Sequence, residues 1–169
     1  MRLHWKLIVM GLYNYNVLPV TLCDYLINLY ETDVGNHERV DKQSKPTFTQ
    51  LNLNKYHANV VSNLCNYFSI SLDFYKEDVP QAKYLPPVKY LEEFRIKKYK
   101  VGGEDRFDEH VDVVNYQSSK RCLAMLFYLN DVGSGGKTIF PYQNKEFTPN
   151  RGNVIIFPPT WEYPHLGEP

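Results

Sequence analysis

Two residues that bind metals well, His110 and Asp112, flank a single β-branched residue, Val111. A third metal-binding residue, His165, follows far downstream. On a β-strand, side chains i and i+2 project to the same face. A strand centred on Val111 therefore sends His110 and Asp112 into one space, and His165 can join them from a neighbouring strand. This requirement narrows the fold to one that brings strands distant in sequence side by side.

Two imidazoles and one carboxylate on one side of a metal leave the opposite positions open, the donor pattern of non-haem Fe(II) oxygenases. H-x-D alone is a weak signal, equally at home on a solvated surface strand, so the surrounding blocks decide. They run Tyr99-Lys100-Val101-Gly102-Gly103, then Arg106-Phe107-Asp108-Glu109-His110-Val111-Asp112. Arg121 to Val132 follows and contains Tyr128-Leu129-Asn130. Gly135-Gly136-Lys137-Thr138-Ile139-Phe140-Pro141, then Pro149 to Pro159, and finally His165 complete the series.

In this order the blocks resemble the catalytic domain of prolyl 4-hydroxylases, in the 2-oxoglutarate- and Fe(II)-dependent dioxygenase superfamily. The resemblance covers roughly residues 90–169. It implies that His110, Asp112 and His165 are the iron ligands, and that Tyr99 and Thr138 line the 2-oxoglutarate pocket. Phe107 stands where the family often has a tyrosine and would form an apolar wall. The resemblance further implies Fe(II), 2-oxoglutarate and ascorbate as cofactors, with O₂ and a peptide or protein as the reaction partners. The reaction would couple decarboxylation of 2-oxoglutarate to hydroxylation of a C–H bond, prolyl by resemblance. A non-prolyl substrate, a non-catalytic jelly-roll binding module, and a hydrolase using the same triad with zinc are the alternatives.

The family anchors the far carboxylate of 2-oxoglutarate with a Lys or Arg about ten residues past the distal histidine. Here the sequence reaches only Pro169. The expectation is a truncated chain lacking the last core strand, with the anchor beyond Pro169. Lys137 and Arg151 are the basic residues nearest the matched blocks, and each reads as a solvated turn residue.

The coarse organisation is one α+β domain over residues 1–169. Residues 1–85 form helical support, and 86–169 form a double-stranded β-helix, or jelly roll. Leu22, Tyr25, Leu26 and Leu29 have helical spacing over 20–31, with Thr21 as the expected N-cap. Residues 32–49 read as a polar loop. Leu53, Tyr56, Val60, Leu64, Tyr67, Leu72 and Tyr75 predict one long helix over 51–76, with His57 at its edge. Residues 94–99 alternate as a strand. Arg121–Leu129 and Asn153–Phe157 read as strands buried on both faces.

Composition excludes several classes. Lysine plus arginine equals aspartate plus glutamate, 19 each, so no net field draws the chain to nucleic acid or membrane. Cys23, Cys65 and Cys122 are widely spaced and odd in number, which argues against a disulfide framework. Leu7 to Met10 is too short to span a membrane and reads as an early strand. With no signal-peptide cleavage site, the expected location is cytoplasmic; oligomeric state stays open. The fourteen tyrosines suit sheet packing, with a peptide groove as the alternative. Gly133 to Thr138 looks like a phosphate loop, but Asp131 occupies the first glycine position of that motif, which excludes it.

Overall fold

The structure is a computed structural model, and it describes residues 11–41, 46–102 and 105–169. The early strand expected over Leu7–Met10 lies outside the described residues. Among the described residues are three α-helices and ten strands: β1 (Tyr13–Asn16), α1 (Val20–Thr32), β2 (Glu38–Asp41), β3 (Thr47–Asn52), α2 (Leu53–Tyr56), α3 (Ala58–Asp78), β4 (Arg95–Lys98), β5 (Phe107–His110), β6 (Ala124–Phe127), β7 (Thr138–Phe140), β8 (Lys145–Phe147), β9 (Asn153–Phe157) and β10 (His165–Gly167).

The strands form three antiparallel sheets, ordered β1-β9-β6, β5-β10-β7-β8 and β2-β3-β4. The first two face each other. Strand β9 explains how. It is β-branched and aromatic, which suits a pleated surface, and it is buried from Val154 to Phe157. Ile155 and Phe157 pack inward against Phe140 of β7, with Ala124, Tyr128 and Phe147 around them. Val154 and Ile156 point the other way, onto Tyr75 and Val79 at the end of α3. One strand thus belongs to two layers at once. Each such side chain contributes roughly 1.5–3 kcal/mol by leaving water.

Helix α3 earns its place by periodicity. Val60, Leu64, Leu72 and Tyr75 are buried along it, an apolar stripe at helical spacing. Its first half packs with Leu22, Leu26 and Tyr30 of α1 against Leu51 and Leu53, the second core. Among the described residues no helix is long and apolar enough to cross a membrane.

Several expectations are corrected here. The single helix over 51–76 is divided: Leu51 and Asn52 end β3, and His57 (φ −138°, ψ 50°) breaks α2 from α3. Asn52 caps α2 by accepting from Lys55 N at 3.1 Å, so its local capping overrides the helical spacing of Leu51. The loop expected over 32–49 instead contains β2 and the start of β3. Helix α1 is capped at Pro19, with no side-chain cap, so Thr21 is not its N-cap. Strand β6 is shorter than expected and only half-buried, because it lies at the end of its sheet's strand order. The N-terminal half is also more than helical support, since β1 pairs with β9 inside the jelly roll.

Candidate metal centre

Strands β5 and β10 pair antiparallel with His110 directly opposite His165. Cross-strand partners point to the same face, so register alone brings the two imidazoles together; their ring centroids are 4.3 Å apart. Asp112 completes the group, with one ligand atom from each of the three residues lying within 4.8 Å of the others. His110 Nε2 is 3.8 Å from Asp112 Oδ1. The sequence reasoning placed Asp112 on a strand. In fact β5 ends at His110, and Asp112 lies in a bend just beyond it. That bend is held from outside. The guanidinium of Arg121 donates from Nη1 to the Asp112 carbonyl at 2.7 Å and from Nε to Glu92 at 2.6 Å, while Val113 N donates to Pro159 O at 3.1 Å.

Both imidazoles are oriented the same way. His110 Nδ1 lies 2.8 Å from Asp108 O, and His165 Nδ1 lies 3.1 Å from Tyr163 O. A carbonyl only accepts, so each Nδ1 carries the hydrogen and each Nε2 lone pair is left for a metal. Burial, more than any other cause, pushes both imidazoles below the ordinary histidine range, and the Lys97 charge adds to it. The pull of Asp112 opposes this in both. Neutral imidazole is the ligating form.

The walls are aromatic. Phe107 stacks on His110 with centroids 3.5 Å apart, and Phe140 and Phe157 pack against His165 at 5.4 and 4.7 Å. Thr138 sits on β7 opposite Gly167 of β10, buried, two positions along from His165. Its hydroxyl accepts from the Tyr128 phenol at 2.7 Å. Burial raises the Tyr128 phenol to about 12, the Thr138 bond opposing, so it stays a donor.

Tyr99 is placed differently. It is 37% exposed and packs on Phe48 at 5.4 Å; Phe48 and Phe107, 6.4 Å apart, stand between it and His110. Burial pushes its phenol pKa up. Nearby, Asp105 is buried and accepts from Arg39 at 2.7 Å and from Lys100 N at 3.0 Å. Lys137 and Arg151 are both engaged at the surface, with Glu146 at 2.6 Å and Asp24 at 2.9 Å.

Sequence reasoning missed three residues. Tyr128 lay within the quoted Tyr-Leu-Asn block, and its buried hydroxyl partner was the signal. Arg121 opens the Arg-Cys-Leu block but gave no sign of reaching back to Asp112. Lys97 sits on β4, two residues before Tyr99. Its ammonium lies 4.8 Å from the centroid of Phe48 and 6.0 Å from that of Phe107.

Comparison with known proteins agrees with this geometry. The family model described as 2OG-Fe(II) oxygenase superfamily matches residues 94–169. A probable prolyl 4-hydroxylase 9 of Arabidopsis thaliana is 38% identical over 79 residues, 44% of this chain and 26% of that protein. A putative prolyl 4-hydroxylase of Acanthamoeba polyphaga mimivirus is 29% identical over 100 residues, 59% of this chain and 38% of that protein. The chain spans between about a quarter and a half of the length of the curated relatives it matches. Among solved structures, the viral collagen prolyl hydroxylase of Paramecium Bursaria Chlorella virus-1, in its 2OG complex, superposes with a TM-score of 0.67 at 20% identity. That likeness covers 94% of this chain and 88% of the other. A Pseudomonas putida prolyl-4-hydroxylase gives 0.64 at 18%, covering 95% and 86%. Both share the jelly-roll architecture seen here. Residues 94–169 thus match the 2OG-Fe(II) oxygenase superfamily model, and over that stretch the chain is similar to proteins named as prolyl 4-hydroxylases.

Proposed function

We propose that this chain is the dioxygenase domain, spanning 1–169, of a 2-oxoglutarate- and Fe(II)-dependent enzyme that hydroxylates a peptidyl residue. By likeness to its relatives that residue is proline. The observation that carries the reading is the convergence of His110, Asp112 and His165 within 4.8 Å. Two neutral nitrogens and one carboxylate oxygen fit Fe(II) with open positions remaining. When bound, the iron would couple 2-oxoglutarate decarboxylation by O₂ to oxidation of a C–H bond, with ascorbate keeping it reduced.

The chain's own residues do the rest. The Asp108 and Tyr163 carbonyls fix the imidazole tautomers. Arg121 fixes the bend that presents Asp112. The hydroxyl pair of half-buried Tyr128 and buried Thr138 supplies polar contacts for a co-substrate carboxylate beside the aromatic walls, where such contacts orient rather than merely attract. Phe107, Phe140 and Phe157 keep water from the ligands. Tyr99, packed on Phe48, is the other proposed co-substrate residue.

The test is 2-oxoglutarate turnover to succinate under Fe(II), O₂ and ascorbate, with a proline-containing peptide as acceptor. The expected result is succinate formation that vanishes in Asp112→Ala while the fold persists by circular dichroism. Full turnover by that variant contradicts the reading.

A further inference from the structure

Many basic side chains of the fold are paired within it. Arg39, Arg95, Lys98, Arg106, Arg121, Lys137 and Arg151 each meet a carboxylate, and so are neutralised within the fold. Lys97 does not. Among the described residues it forms no ion pair, although its side chain is exposed. It lies instead over two aromatic faces, 4.8 Å from the Phe48 centroid and 6.0 Å from the Phe107 centroid. Phe107 is the ring stacked on His110 at 3.5 Å. The ammonium therefore sits one aromatic ring away from a candidate metal ligand, on the side that solvent reaches.

Its register explains why it stays there. Lys97 pairs across strands with Gln50, and Phe48 lies one pleat along β3. The side chain is directed by a strand pair instead of a mobile loop. Gln50 is itself engaged, donating to Glu38 at 2.9 Å. The surrounding protein partly desolvates the ammonium and lowers its pKa, while Asp112 pulls it back up and Arg95 and Arg121 push it down. A cation held in place, half-stripped of water and without an anionic partner is poised to accept one. Charge-assisted hydrogen bonds of this kind are the strong ones, and an aromatic platform favours the cation without neutralising it.

We propose that Lys97 is a recognition residue that takes a carboxylate from an organic ligand entering the metal centre. The carboxylate belongs either to an acidic side chain beside the reacting residue of a peptide or to 2-oxoglutarate itself. The proposal rests on the metal-centre reading above, and its test separates the two.

The full chain is loaded with Mn(II), a redox-quiet substitute for Fe(II), and three affinities are measured for wild type, Lys97→Gln and Lys97→Arg. They are Mn(II) itself, 2-oxoglutarate, and two labelled proline peptides identical except for Glu or Gln next to the proline. Loss of a single charge-assisted contact corresponds to about tenfold in affinity, or about 1.4 kcal/mol. Lys97→Gln weakening 2-oxoglutarate about tenfold, with Lys97→Arg restoring most of it, supports the proposal and names the co-substrate as source. Loss of the Glu-over-Gln preference in Lys97→Gln, again restored by arginine, supports it and names the peptide. Unchanged values in both arms overturn it. A change in Mn(II) affinity with neither carboxylate arm affected also overturns it, because Lys97 would then only balance the charge of Asp112. If wild type binds no Mn(II), the metal-centre reading fails on its own. The peptide arm, run without metal, still decides Lys97: a Glu preference lost in Lys97→Gln supports the proposal, and no preference overturns it.

Discussion

At the scale of single residues, the site depends on protonation states set by burial. Both imidazoles are held below the ordinary histidine range, so they remain neutral where a free histidine, with a pKa of about 6.5, begins to protonate. Metal affinity should therefore vary little between pH 7.5 and 6.5 and fall at lower pH, read by Mn(II) titration. The same shifts have a stability sign. Just below pH 6.5 the unfolded chain binds protons that the folded chain does not, so the metal-free protein loses stability as pH falls through that range. Urea midpoints measured from pH 7.5 to 5 should decline accordingly. A flat profile would show that the two histidines are not desolvated in solution. Removing a ligand outright is harsher: Asp112→Ala should weaken Mn(II) by at least about 100-fold, more than the loss of an outer-shell partner. Of the two tyrosines, Tyr128 is the one bonded to Thr138. Tyr128→Phe should therefore raise the KM for 2-oxoglutarate more than Tyr99→Phe does; the reverse order would make Tyr99 the principal co-substrate contact.

At the scale of elements, two connections set the geometry. Gly152 precedes β9 with φ +83°, and a Cβ there would come within 2.5 Å of Leu18 O. Its carbonyl accepts from Val17 N and Leu18 N, each at 2.9 Å, joining the start of β9 to the passage from β1 into α1. Gly152→Ala should destabilise the fold by about 1–3 kcal/mol from backbone strain alone, seen as a lower urea midpoint with an unchanged slope. The Arg121 fork is the second connection. Arg121→Met should weaken Mn(II) by about 10–100-fold without unfolding the chain. These elements also show what the sequence could reveal. Strand β9 and helix α3 were legible because Val154–Phe157 and Val60–Tyr75 carry continuous or helically spaced apolar residues. Strand β2 was not, because Glu38-Arg39-Val40-Asp41 is mostly polar and its pairing with β3 supplies the order. The candidate ligands His110, Asp112 and His165, which the structure brings together, were legible from their blocks. The bend that presents Asp112, and the position of Lys97, depend on partners nine or more residues away in sequence, which no local pattern encodes.

At the scale of the whole molecule, the helices and sheets serve one arrangement. Helix α3 buttresses the outer face of the β1-β9-β6 sheet, β9 fills the sandwich from within, and β10 is held between β5 and β7 so that His165 meets His110. The central claim is that this arrangement holds one divalent metal at His110, Asp112 and His165. The most direct test is Mn(II) binding to the metal-free chain, followed by calorimetry and by electron paramagnetic resonance of the bound ion, for wild type and for His110→Ala, Asp112→Ala and His165→Ala. The account predicts one site per chain, lost in each of the three variants while their folds persist. Binding that survives all three substitutions would contradict it.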